Sequence, residues 1–135
     1  MPTITVSSAA LAPLQRKRVA LAFTRQLKHL GADPGHCLVL FESLAPGHVF
    51  RAGMPLPVAA QDGAPAQFHL RITLSVDRDQ QQQRLLAQGL HSCLHDLYPN
   101  AFIYMHFNLI EPAQVFYSAG PELINADNRK GSTAP

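Results

Sequence analysis

The sequence predicts an α+β fold in which two βαβ repeats form a four-stranded mixed sheet with two helices on one face. Three observations predict it. The segment FESLAPGHVFRAG at 41–53 returns as FNLIEPAQVFYSAG at 107–120. Phe41, Pro46, Val49 and Phe50 match Phe107, Pro112, Val115 and Phe116 at a constant offset of 66, about half the chain. The order strand, helix, strand, hairpin-like tail then occurs in both halves, and parallel strands joined by right-handed crossovers put both helices on the same side of the sheet.

Each element follows in chain order. Pro2 to Val6 is short and β-prone, and Ile4 and Thr5 match Ile72 and Thr73 of the second half. Ser7 to Ala12 is a turn. Pro13 suits the first turn of a helix, where its missing N–H is harmless. Val19, Phe23, Leu27 and Leu30 then recur every three to four residues, which predicts an amphipathic helix from Pro13 to Leu30, closed by Gly31. Cys37 to Phe41 is a continuous apolar run, the pattern of a strand covered on both faces. Residues 54–67, rich in Pro and Gly, link the repeats. Phe68 to Val76 is a strand. Asp77 or Asp79 can cap a helix reaching about Leu97, with Leu86, Leu90, Cys93, Leu94 and Leu97 inward. Ala101 to Ile110 is the last long strand. These elements predict a single domain over residues 1–123, made of repeats 2–53 and 68–120, followed by a flexible tail at 124–135.

Composition removes several function classes. At 135 residues, 47% hydrophobic and 15% charged, the chain can bury a core. A net charge of +2 with scattered cations gives no footprint for nucleic acid. No apolar run approaches the ~18 residues of a membrane helix, and the first residues lack the basic and apolar regions of a signal peptide. Cys37 and Cys93 read as small core residues of a reducing cytoplasm. No Walker loop, GxGxxG or HExxH occurs. His91 and His95 could pinch a metal at helical spacing, but no third ligand accompanies them, so neither a metal nor a cofactor is expected. The second strand is apolar at both parities, Leu38 and Leu40 as well as Val39 and Phe41. With helices on one face only, the other face is expected to be covered by self-association.

A proline directly after the initiator Met, opening the first strand of a doubled βαβ chain with GHVFRAG after its second strand, resembles the tautomerase superfamily. The likeness covers roughly residues 2–120 and is to the fused members, whose single chain carries two 4-oxalocrotonate tautomerase units, as in cis-3-chloroacrylic acid dehalogenase and malonate semialdehyde decarboxylase. It implies a homotrimer with sheets inward and helices outward. It also implies an enzyme acting on a small carboxylate, with Pro2 as the catalytic group. Met before Pro permits Met removal, which would leave Pro2 with a free secondary amine. An α-amino group titrates near ~7.7–8.0, lower when buried near cations. Neutral, it can take a proton α to a carbonyl; protonated, it would serve hydration, dehalogenation or decarboxylation as an acid. The plain alternative is a proline that starts an edge strand.

The other candidate residues follow from the same likeness. Arg78 corresponds to the arginine of the strand-to-helix turn and could hold a carboxylate in a bidentate pair, or it could be a solvated arginine beside Asp77 or Asp79. Arg71, inside an apolar strand, needs a partner: a substrate anion or an ion pair between subunits. His106 falls near the position of an active-site tyrosine, or it is a hydrogen-bonded core histidine. Tyr117 falls near that of a water-activating glutamate; Glu111 and Glu122 are the nearby acids. The first-half turn SSAALAP and the strand CLVLF lack the family's other arginines, and Leu27, with His29 close by, occupies a position where the dehalogenase has histidine. The expected reaction is therefore proton transfer on a small, monoanionic keto acid, with a non-catalytic trimeric binding module as the alternative.

Overall fold

The computed structural model describes residues 1–127 of the chain. Four strands make one sheet in the order β2-β1-β5-β6: β1 (Thr3–Ser8), β2 (Leu38–Ser43), β5 (Gln67–Ser75) and β6 (Phe102–Ile110). Two short hairpins follow the outer strands: β3 (Phe50–Arg51) with β4 (Met54–Pro55), and β7 (Phe116–Ala119) with β8 (Glu122–Asn125). β1 runs parallel to β2 and β5 parallel to β6, while β1 and β5 meet antiparallel at the centre. The sheet is therefore mixed, and each parallel pair is one repeat.

Helices α1 (Pro13–His29) and α2 (Gln80–Leu97) form the second layer. Pro13 opens α1, and the Ala12 N–H donates to Gln15 Oε1 at 2.9 Å. Gly31, at φ +102°, closes α1 with N–H bonds from Gly31 to the Lys28 carbonyl and from Ala32 to the Leu27 carbonyl. Asp79 caps α2 by accepting from the Gln82 N–H at 2.8 Å, and the Gln82 side chain accepts from the Asp79 N–H at 3.0 Å. The inward stripes are Val19, Phe23 and Leu27 on α1 and Leu86, Leu90 and Leu94 on α2. They meet Ile4, Val6, Phe68, Leu70, Ile72 and Leu74 of the sheet in one core. Cys93 is half-buried at the stripe's margin, whereas Leu97, expected inside, is exposed at the last residue of α2.

Three expectations change. β1 is a central strand, so Pro2 does not start an edge strand; its carbonyl accepts from the Leu38 N–H at 3.1 Å, and its missing donor falls ahead of the ladder. The ordered chain does not end at residue 123. Ile124 and Asn125 belong to β8, and Ala126 is buried with its N–H on the Val115 carbonyl at 2.9 Å. The rest of the expected tail, 128–135, lies outside the described residues. Third, the segment between the repeats is partly built in: Val58 is buried, and Gln67 already belongs to β5 with a fully buried side chain.

The second sheet face is open in the single chain. Register places Leu38, Thr3, Thr73 and Asn108 in one row across it, Leu40, Thr5, Arg71 and His106 in the next, and Glu42, Ser7, His69 and Tyr104 in the third. Its centre is polar, and its outer strands mix Leu38, Leu40, Phe102 and Tyr104, each about half exposed, with the polar Glu42, His106 and Asn108.

The internal repeat survives in the tertiary contacts. Tyr117 of β7 packs its ring 5.9 Å from that of His36, at the head of β2. Arg51 of β3 lies 5.2 Å over the ring of Phe102, at the head of β6. Both residues of the second pair differ from the first by the repeat offset of 66, though the sense of the shift differs between them. Each hairpin therefore folds back onto the first residues of the other repeat's outer strand, and the two ends of the molecule are pseudo-symmetric.

Candidate functional site

One end of the sheet gathers Pro2, the head of β2, the end of β5 and the end of β6, because β1 is antiparallel to β5 and Thr3 pairs with Thr73. Pro2 is tied to Leu38 by the bond already described. Cys37 precedes Leu38, and its Sγ donates to the Asp33 carbonyl at 3.3 Å. Burial pushes the Cys37 thiol above its ordinary value, the Asp33 carboxylate adds to the rise, and the cationic amino terminus draws it partly back. A small cavity of about 20 Å³ lies at the same end, lined by Met1, Ser75, Ile110, Pro112, Val115 and Ala126. With Met1 in place, the Pro2 nitrogen is a peptide nitrogen.

Arg78 reaches this end from the turn after β5. Its Nη1 donates to the Leu30 carbonyl at 2.8 Å, at the C-terminal cap of α1. Its guanidinium also approaches Gly31, where an added Cβ would stand 3.8 Å from Nη1. Arg78 is therefore anchored on a helix terminus. A cation there also faces the negative end of the helix dipole. One Nη1 bond leaves further N–H groups of the fork for an anion.

Tyr117 lies at the same end, half-buried against His36. His36 was not singled out from sequence. Its only signal was its place in the turn DPGH just before a strand, and the partner that gives it a role is 81 residues further along the chain.

Arg71 and His106 stand elsewhere. They face each other on β5 and β6 in the middle of the open face. Arg71 has a partner within the chain: its Nη2 lies 3.6 Å from Glu42 Oε1, with both side chains more than half exposed at 53% and 57%. Such an ion pair contributes little by itself, about 0–1 kcal/mol. His106 is not a core histidine. It is exposed, because the open face is the one its parity selects. Its neighbour Tyr104 contacts it edge-on at 5.8 Å and contacts His69 at 5.9 Å.

Several residues fall outside this geometry. Leu27 is wholly buried in the core, and His29 is exposed on the last turn of α1. Glu111 and Glu122 are exposed. His91 and His95 stack at 5.8 Å on α2, with no group of three His, Cys, Asp or Glu placed to hold a metal among the described residues. Cys93 accepts a long bond from Gln26 Nε2 at 3.8 Å, and burial raises its thiol as well. Among the described residues, no helix is long and apolar enough to cross a membrane.

No protein-family model matches the sequence, and no curated protein matches it. Solved structures do. The chain superposes on N1, a member of the cis-3-chloroacrylic acid dehalogenase family, with a TM-score of 0.74 at 22% identity, covering 98% of this chain and 92% of that one. It matches the R7 fused 4-OT wild-type asymmetric trimer with a TM-score of 0.73 at 15% identity over 95% and 98% of the two chains. It matches FG41 malonate semialdehyde decarboxylase, inhibited by 3-bromopropiolate, with a TM-score of 0.71 at 12% identity over 98% of both. These neighbours are tautomerase superfamily members, and this chain has their fold.

Proposed function

We propose that the chain is an enzyme of the tautomerase type, which moves a proton α to the carbonyl of a small keto acid. Pro2 acts as base once Met1 is removed, and Arg78 receives the substrate carboxylate. The observation that carries the reading is the position of Pro2. It heads a central strand, at the sheet end where an anchored arginine, a histidine–tyrosine pair and a small cavity come together. Met1 borders that cavity, so its removal would enlarge the space and leave the Pro2 amine facing it.

The step is a simple transfer. The substrate C–H bond breaks as an N–H bond forms on Pro2. The electron pair moves toward the carbonyl, and negative charge grows on its oxygen. The prolinium then returns the proton to the alternative atom of the enol system. The positive charge of the Arg78 guanidinium at this end favours a neutral amine at pH 7. His36 and Tyr117, paired at this end, are candidate donors toward a developing oxyanion. No metal or cofactor enters this scheme. The same fold in a neighbouring decarboxylase and a dehalogenase-family member supports a second reading, with a cationic Pro2 as acid. The open face, with Leu38, Leu40, Phe102 and Tyr104 half exposed on its outer strands, supports a trimer like that of the fused 4-OT neighbour. Cys37 and Cys93 are both free, which supports a reducing, cytoplasmic setting.

The first test is the intact mass of untagged protein, followed by ultraviolet assays on 2-keto acids. A mass short by one methionine, with turnover that falls about 10²–10⁴-fold in Pro2→Ala, is expected. A retained Met1, or activity indifferent to Pro2→Ala, would overturn the reading. A rate that fades at low pH supports Pro2 as base, and one that fades at high pH supports it as acid.

A further inference from the structure

Helix α1 turns a cationic face away from the sheet. Residues 1–32 contain no Asp or Glu, yet five of the chain's 11 Lys and Arg residues, from Arg16 to Lys28, lie on this one helix. The cations that read as scattered along the sequence are thus gathered by the fold. All five are exposed. Arg16 bends back to donate to the Leu11 carbonyl, while Lys17, Arg18, Arg25 and Lys28 form no ion pair among the described residues. The neighbouring α2 adds no counterweight, since its Asp96 is matched by its Arg84.

The placement of these side chains is ordered. Successive residues of a helix turn by about 100°. Val19, Phe23 and Leu27 point into the core. The opposite arc, about 100° wide on the same geometry, holds Leu14, Lys17, Arg18, Leu21, Arg25 and Lys28. Leu14 and Leu21, 60% and 50% exposed, lie along its middle. Arg18 and Arg25 flank them on one side, Lys17 and Lys28 on the other. Long cationic side chains beside an apolar ridge let the ridge be buried while the charges stay in water or on phosphate. The ridge is convex, and none of the structure's larger cavities touches any of the six. A groove would suit the side chains of a folded partner; a bare ridge suits a medium that yields around it. The arc also lies on the helix side of the sheet, away from the open face proposed for the subunit contact, so that contact does not cover it.

We propose that the outer face of α1 docks on an anionic phospholipid bilayer. The helix lies parallel to the surface, and Leu14 and Leu21 enter the boundary between headgroups and acyl chains. The four cations pair with lipid phosphates and carboxylates. Two leucines on one short helix make a shallow anchor, so the contact is reversible. It is independent of the chemistry at Pro2.

The test sediments the full chain with vesicles of phosphatidylcholine, alone or with about 30% phosphatidylserine to give a negative surface. Binding is expected only to the anionic vesicles, and to fall about 10-fold or more between about 0.05 and 0.5 M salt. Arg18→Gln with Arg25→Gln is expected to weaken it about 10- to 30-fold, at about fivefold per cation. Leu14→Ser with Leu21→Ser is expected to weaken it about 5-fold or more. All four positions are exposed, so both variants are expected to keep the wild-type circular dichroism spectrum and turnover. In bicelles of the anionic mixture, a spin-labelled lipid is expected to broaden the methyl signals of Leu14 and Leu21 and to spare those of Leu40. Equal binding to neutral vesicles, no binding to anionic ones, an affinity unchanged by either pair of substitutions, or broadening at Leu40 instead would each overturn the proposal. So would polyglutamate or a duplex oligonucleotide binding as tightly as the anionic vesicles, since neither offers the apolar phase that the leucines require. The wild-type bicelle spectra carry the test even if a variant fails to fold.

Discussion

Arg78 clamps a helix end in this fold, and the carboxylate contact proposed for it can be separated from that role. Its bond to the Leu30 carbonyl closes α1. Arg78→Ala is expected to cost about 1–2 kcal/mol of stability, read as a lower denaturation midpoint. Arg78→Lys retains the charge but not the fork. It is expected to recover part of the stability while substrate KM stays raised. Equal losses in both variants, with KM unchanged, would leave Arg78 a helix clamp alone. His69 gives a pH prediction at the same scale. Burial lowers its titration point below the ordinary value near ~6.5. Between that lowered point and 6.5 the unfolded chain binds more protons than the folded one, so stability falls as pH drops through this window. His69→Gln is expected to flatten that part of a denaturation-midpoint profile taken from pH 8 to 5. An unchanged slope would show that His69 does not carry it.

The two helices pack where α2 lacks a side chain. A Cβ at Gly89 would overlap the amide end of Gln26 on α1. A methyl there could be met by swinging the flexible Gln26 aside, and alanine would also gain helix propensity. A branched side chain could not be met so easily. Gly89→Val is expected to destabilise by about 1–3 kcal/mol in chemical denaturation, well beyond Gly89→Ala. The glycine reads in the sequence only as a weak spot in a helix; its reason lies in the neighbouring helix.

The open face belongs to the scale of the whole molecule. Its outer strands expose Leu38, Leu40, Phe102 and Tyr104, and its centre holds Arg71 against Glu42. At neutral pH that ion pair cancels. A face with little net charge and half-exposed apolar side chains on its flanks suits contact with copies of itself. Leu40→Glu is expected to convert a trimer into monomer in sedimentation velocity, with the circular dichroism spectrum retained, since Leu40 lies outside the chain's own core. A wild-type monomer at micromolar concentration would sink the trimeric reading, whereas a trimer untouched by Leu40→Glu would move the interface elsewhere.

β1 and β2 run two residues past the ends expected at Val6 and Phe41, but the doubled architecture and both helices are legible in the sequence. These follow from local rules: apolar periodicity, Pro13 and Gly31 at helix ends, Asp79 at a cap, and a repeat offset of 66. Tertiary structure alone decided what meets what. The antiparallel joining of β1 and β5 carries Ser75 and Ile110 to the Pro2 end and leaves Arg71 and His106 out on the open face. Hairpin closure brings Tyr117 onto His36, and Gln67 joins the Pro57 carbonyl to His69 Nε2. Such contacts join residues far apart in the chain, and no periodicity along it records which pairs the folded sheet will bring together.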